Sequence, residues 1–314
     1  MSASQSVGQE FVQYLILGLE QGSIYALIAL GYTLVYGVLQ LINFAHSEVF
    51  MAGGFGSLLV VNQLTKSGHT SGLDAVLVMI VGGLTGAVCG AAVAFALEKV
   101  AYKTLRRSRA PKLAFLISAI GASLFLSNLA GKLFNHIQNN QINNFFNEDK
   151  ALFSIAGAKV QLLQAIIIVV ALVTMVFLDT LVNRTKLGRS VRAVAEDAPT
   201  AALMGIDIDK TISRTFVIGG ALAGMAGFMF GLYSTVFYLM GFTPGVKAFA
   251  AAVLGGIGNI RGAMIGGLIL GEVEVMVGWL TDPKWEDISS FIVLVLILLV
   301  RPTGILGERL GRAA

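Results

Sequence analysis

Eight apolar runs, most of them close to twenty residues long, dominate this sequence and leave few folds open to it. A run of roughly 20 apolar residues is the length a helix needs to cross the hydrocarbon core of a bilayer. The runs read as 11–37, 44–62, 73–97, 113–131, 160–181, 214–239, 261–281 and 287–300. A further piece, 246–258, has about 13 residues and reaches only about 20 Å as a helix, so it predicts a broken or re-entrant element. The last run gains length only if Trp285 to Ser290 extend it into the interface. Charged residues make up 13% of the 314, about half the proportion of a soluble domain. That excludes an ordinary cytosolic enzyme, a disordered chain and a nucleic-acid binder. The expected fold is an all-α polytopic membrane protein of about eight transmembrane helices with broken segments, forming one domain over 1–314. No cleavable signal is expected, because the first fourteen residues hold no Lys or Arg and the apolar run after them is too long.

The charges that remain are unevenly placed. Lys99, Lys103, Arg106, Arg107, Arg109 and Lys112 fill one connection, and Arg184, Lys186, Arg189, Arg192, Lys210 and Arg214 another. Arg301, Arg309 and Arg312 mark the tail, and the three stretches hold 15 of the 22 basic residues. The positive-inside rule predicts all three in the cytoplasm, with the C-terminus. The loop 132–159 carries Asn135, Asn139, Asn140, Asn143, Asn144 and Asn147 with only Lys132, Lys150 and Lys159, and is predicted outside. Counting spans back places 63–72 and the N-terminus outside as well.

The two halves echo one another. Gly82, Gly86 and Gly90 follow the segment 44–62, and Gly262, Gly266, Gly267 and Gly271 follow the short segment 246–258. On this topology the two Gly-rich helices run in opposite directions, the pattern of an inverted repeat with a site between broken helices. The same spacing also serves close helix packing alone.

Polar residues inside apolar sequence are costly and face protein, water or substrate. Asn43, His46, Ser47 and Glu48 are the densest such group in the first hundred residues. Asn43 reads as a cap for the following helix, whose free N–H groups suit an anionic group such as an amino-acid carboxylate. The same residues also read as a plain turn, with Glu48 offsetting the helix dipole. Tyr25, Tyr32 and Tyr36 recur near helical spacing, a pattern of packing or of an aqueous path lined by hydroxyls. Glu272 and Glu274 point to different helix faces and form no acid–base pair; they and Lys247 are expected to be satisfied structurally. Within the second basic loop, Asp197 is an N-cap, Pro199 fits a first turn and Gly205 is a stop. The result is a short helix over 197–204, too short to stand alone in water and therefore needing a partner surface. No G-x-x-x-x-G-K-[ST] is present, so ATP, if used, is bound by another subunit. Gly255-Gly256-Ile257-Gly258-Asn259 has no βαβ unit after it and is not read as a phosphate loop. With no H-E-x-x-H and only three His, a zinc hydrolase is not expected. His46 and Ser47, adjacent on a helix, diverge by about 100° and form no nucleophile–base pair.

Several of these runs resemble the LivH-type permease subunits of branched-chain amino acid ABC importers. They are 22–32, 42–48, Arg192 to Asp197 with Leu203 to Ile206, Lys247 to Gly256, 262–267 and 301–307. The likeness covers nearly the whole chain in order. Ser47 departs from it, since glycine is usual there, and so does the Asn-rich loop. The resemblance implies an inner-membrane permease with a second related permease subunit, two ATP-binding subunits and an extracytoplasmic substrate-binding protein. It implies no cofactor in this chain, no enzymatic activity and no nucleic-acid partner. On that basis Tyr32, Asn43, His46, Ser47 and Glu48 are candidates for the substrate path. Within a coupling loop 183–213, Arg192, Glu196, Asp197, Ala201, Leu203 and Gly205 are candidates for contact with an ATPase. Urea and short-chain amide importers share the implied fold, and an energy-independent channel is a further alternative. Neither Asn43 nor Asn259 is followed by Pro, as an aquaporin-type turn would require.

Overall fold

A computed structural model describes residues 3–65, 73–108, 110–135, 140–142, 151–155 and 157–307. Arg109, Arg309, Arg312, Asn139, Asn143, Asn144, Asn147 and Lys150, together with most of the 63–72 connection, lie outside the described residues. Twelve α-helices are described: α1 (Ala3–Leu39), α2 (His46–Leu64), α3 (Leu73–Leu97), α4 (Lys103–Arg107), α5 (Lys112–Leu133), α6 (Leu162–Arg184), α7 (Lys186–Glu196), α8 (Ala198–Leu203), α9 (Ile208–Tyr233), α10 (Phe242–Gly255), α11 (Ile260–Leu280) and α12 (Glu286–Val300). Six are long and apolar enough to cross a membrane: α1, α3 with its extension, α5, α6, α9 and α11. The runs expected at 44–62 and 287–300 form α2 and α12 but fall outside that set. The all-helical expectation holds but for two short ladders. Strand β1 (Asn140–Gln141) pairs antiparallel with β4 (Thr235–Val236), and β2 (Ala151–Ile155) with β3 (Ala158–Gln161).

Helices α1 and α9 form the centre. Of their apolar windows 83% and 72% are buried, against 22–28% for α3, α5 and α6, which turn one apolar side outward. The close approach is made by glycine. A Cβ on Gly224 of α9 would stand 2.0 Å from the Gly86 carbonyl of α3, and one on Gly271 of α11 2.3 Å from Gly22 Cα of α1. Contacts run 82 to 228, 86 to 224 and 90 to 220 on one side, and 18 to 272 and 26 to 267 on the other. Both pairs are therefore antiparallel. Each half of the chain lays its third helix on the first helix of the other half, α3 on α9 and α11 on α1. The short helices do likewise: α2 packs on α9 through Gly53 and Phe50, and α10 on α1 through Phe249 and Tyr32. The paired glycine motifs led one to expect an inverted repeat; the exchange of α1, α2 and α3 with α9, α10 and α11 was not foreseen from them.

The basic connections gather at one end. Gln40 donates to the Ala195 carbonyl there, Arg106 pairs with Asp209, and Arg261 with Asp179. At the other end Ile16 of α1 packs on Ala158 and Val160, and Trp279 of α11 on Phe11 and Tyr14. The start of α1 and the hairpin of the Asn-rich loop thus share the end away from the basic residues.

Boundaries shift where local chemistry differs from apolar run length. Helix α9 starts at Ile208 rather than 214 because Asp207 caps it, its Oδ1 accepting from Lys210 N at 3.0 Å. Helix α10 starts at Phe242, taking in Pro244, which a first turn tolerates. It ends inside the molecule at Gly255, where its last carbonyls need partners. The segment 301–307 supplies them: Ile305 N donates to Leu254 O at 2.8 Å and Leu306 N to Gly255 O at 3.0 Å. Asn259 caps α11 and donates from Nδ2 to Leu306 O at 2.8 Å.

Candidate functional site

Tyr32, His46, Ser47 and Glu48 come together where the N-terminal turns of α2 and α10 meet. The Tyr32 and His46 rings lie 4.7 Å apart, and His46 packs so closely on Gly31 that a Cβ there would stand 2.2 Å from Nε2. Gly241, just before α10, and Gly245 within it sit against Ser47, with Cβ positions 2.2 Å from its carbonyl oxygen and 2.5 Å from its Cβ. Ser47 Oγ lies 2.9 Å from the Phe44 carbonyl and 3.3 Å from Glu48 Oε1, sharing one proton between them. Ser123 of α5 donates to the same Glu48 oxygen at 3.0 Å. Among the described residues, His46 Nε2 and Glu48 Oε2 are buried without a hydrogen-bond partner, and no cation pairs with Glu48. Neither helix start has a side-chain cap. The two helix starts, each with the partial positive charge of a helix N-terminus, thus meet close to a buried carboxylate, although His46 N, Glu48 N, Phe242 N and Gly245 N already donate to the carbonyls of Asn43, Ala45, Leu239 and Gly241. That combination suits a ligand carrying both an anionic and a cationic group. The adjoining recess, bounded by Tyr32, Tyr36, Ile42, Phe249, Ala252 and Ile257, is about 10 Å³, room for about one water.

Asn43 does not join this group, and the expectation that it caps α2 is corrected. The cap position is Ala45. Asn43 is 2% exposed; its Oδ1 accepts from Ala45 N at 3.1 Å and from Tyr102 OH at 2.7 Å, so it turns toward α3.

At the basic end the short helix expected over 197–204 is α8. Asp197 caps it by accepting from Thr200 N, and Pro199 sits in its first turn. Gly205, at φ +83°, closes it: Gly205 N donates to Ala202 O at 3.0 Å and Ile206 N to Ala201 O at 3.1 Å. These are the two bonds of a left-handed helix stop. The loop 183–213 holds a second helix the sequence reading missed, α7, capped by Thr185 and packed through Gly188, Val191 and Val194. Of the residues proposed to contact a partner, Leu203 is 88% exposed, and Glu196, Asp197 and Gly205 lie at the surface; Met204, not among them, is 80% exposed. One is corrected: Ala201 is buried against this chain's own residues because it faces α7 and α9. Arg192 is exposed and donates to the Val182 carbonyl of α6. Asp207, at the following helix start, has its carboxyl held below the usual range, chiefly by the backbone N–H of Lys210.

Two polar clusters have pairings that the sequence did not show. Lys247 Nζ of α10 lies 2.5 Å from Glu274 Oε1 of α11 and 2.5 Å from Asp287 of α12. Glu274, 1% exposed, also accepts from Gln21 at 2.8 Å, Tyr25 at 3.2 Å and Ser290 at 2.9 Å. Its partners are side chains on three helices, α1, α10 and α12, so Lys247 and Glu274 are satisfied structurally as expected, whereas Glu272 keeps Oε2 buried without a hydrogen-bond partner among the described residues. In the other cluster, buried Glu98 accepts from Arg106 at 3.1 Å and from Ser213 at 2.7 Å. An internal cation is itself the signal for such pairs, since it must have a partner.

Residues 14–300 match a family model described as branched-chain amino acid transport system / permease component. The high-affinity branched-chain amino acid transport system permease protein LivH of Salmonella typhimurium is 42% identical over 302 residues, covering 95% of this chain and 96% of that protein. LivH of Escherichia coli is 42% identical over 305 residues, with the same coverage. BraD of Pseudomonas aeruginosa, likewise a high-affinity branched-chain amino acid transport system permease protein, is 41% identical over 306 residues, again 95% and 96%.

Proposed function

The chain belongs to the family of branched-chain amino acid transport permease components, and from that premise we propose that it is the membrane channel half of an ATP-driven importer. It translocates branched-chain amino acids across the inner membrane and makes no covalent change to them. Separate ATPase subunits dock at the basic end, on the cytoplasmic side, and a second related permease completes the path. An extracytoplasmic binding protein delivers substrate at the end that carries the Asn-rich hairpin.

The observation that carries this reading is α8. A six-residue helix is not stable by itself, yet it is capped at both ends and offers Leu203 and Met204, 88% and 80% exposed, at the basic end. Two large apolar side chains held out beside charged loops fit a groove on a soluble subunit. Substrate passes where α2 and α10 meet: the paired helix starts favour its carboxylate, and Glu48 its ammonium. With room there for about one water, passage requires α10 to move against α1 and α2.

Leu203→Asp tests the docking. Leu203 lies outside the packed interior, so the variant is expected to fold and insert normally while the ATPase subunits no longer co-purify with the permease. Unchanged co-purification and leucine uptake would overturn the assignment of α8. Uptake of urea in place of leucine by the reconstituted complex would overturn the substrate.

A further inference from the structure

Helix α3 does not run straight into α4; residues Glu98–Tyr102 form a π turn between them. Such wide turns are uncommon in helices and recur at working positions. This one carries two polar side chains that are both 0% exposed, Glu98 and Tyr102. Glu98 reaches α9 directly through Ser213 and indirectly through Arg106, which lies 2.6 Å from Asp209 in the first turn of α9. Tyr102 reaches the other way. Its ring is held between Phe216, at 5.2 Å, and Phe115, at 6.1 Å. Its hydroxyl donates to Asn43 Oδ1 at 2.7 Å, the oxygen that also takes Ala45 N immediately before α2. One unbroken set of contacts thus joins the start of α9, into which α8 leads, to the start of α2.

We propose that the π turn transmits motion of α8 to the α2–α10 site, with Tyr102 as the positioning residue that holds Asn43, and through it the first turn of α2. This rests on the reading of α8 given above. A displaced α9 start carries Arg106 and Ser213 with it. Buried Glu98 cannot shed those donors cheaply, so the turn follows. Tyr102 then moves the Asn43 side chain and the N–H of Ala45 together.

The test uses the permease reconstituted in liposomes with its partner permease, ATPases and binding protein, and reads leucine taken up per ATP hydrolysed. Tyr102→Phe keeps the ring and removes the hydroxyl. It is expected to leave ATPase co-purification intact and to lower uptake per ATP roughly fivefold, the scale of one lost hydrogen bond. Asn43→Ala also frees Ala45 N and is expected to lose at least as much, and the double variant no more than Asn43→Ala alone, because the Tyr102–Asn43 contact is already gone. A role in folding alone would lower yield and leave the ratio unmoved. Unchanged uptake per ATP in Tyr102→Phe, or additive losses in the double variant, would overturn the proposal. Failure of the α8 reading is seen separately, in co-purification of the Leu203→Asp variant.

Discussion

At the scale of single residues, the side chain with most at stake is Glu274, on which donors from three helices converge. Breaking a buried pair by removing one partner leaves an uncompensated charge and costs about 3–5 kcal/mol. Lys247→Met is therefore expected to lower the melting temperature of the detergent-solubilised permease sharply. Asp287→Asn is expected to change it little, because Asp287 is 65% exposed and exposed pairs contribute about 0–1 kcal/mol. Equal melting temperatures for the two variants would remove the ion pair from the account of packing. The sequence showed that Lys247 and Glu274 were misplaced charges but not that they belonged to each other, because their pairing depends on α10 folding back along α11. Asn43 illustrates the converse. Its polarity in an apolar stretch was visible, but whether it faced a ligand or Tyr102, 59 positions away, was fixed only by how α3 lies.

At the scale of elements, what is local was legible. Asp197, Pro199 and Gly205 specify α8 within nine residues, and the structure has the cap, the first-turn proline and the left-handed stop where they were expected. What depends on distant chain was not. Helix α10 looked too short to cross, and so it is, but the reason it can stop inside the protein lies 50 residues later, in the N–H groups of Ile305 and Leu306. Ending the chain at Arg301 is expected to leave the carbonyls of Leu254 and Gly255 unpaired and cost about 2–3 kcal/mol, at roughly 1 kcal/mol or more for each buried acceptor. Thermal denaturation of the truncated permease checks this, and a melting temperature equal to that of the full chain would show that water or lipid serves α10 as well.

At the scale of the molecule, the charge asymmetry and the paired glycine motifs carried the architecture, because both follow from rules that hold along the whole chain. In a Cys89→Ser background, Ser154→Cys on the exposed hairpin is expected to react with a membrane-impermeant maleimide in intact cells. Arg189→Cys on α7 is expected to react only after the membrane is opened. The reverse pattern would invert the assigned topology. The mutual clasp of the two halves also bears on how such a chain is made. Gly22 finds its partner Gly271 only after about 250 further residues have been synthesised, an interval of roughly 12–50 seconds at about 5–20 residues per second. Throughout that wait the face of α1 that receives α11 lacks its partner. Biogenesis therefore depends on lipid or the insertion machinery shielding the first helix until nearly the last has entered the membrane.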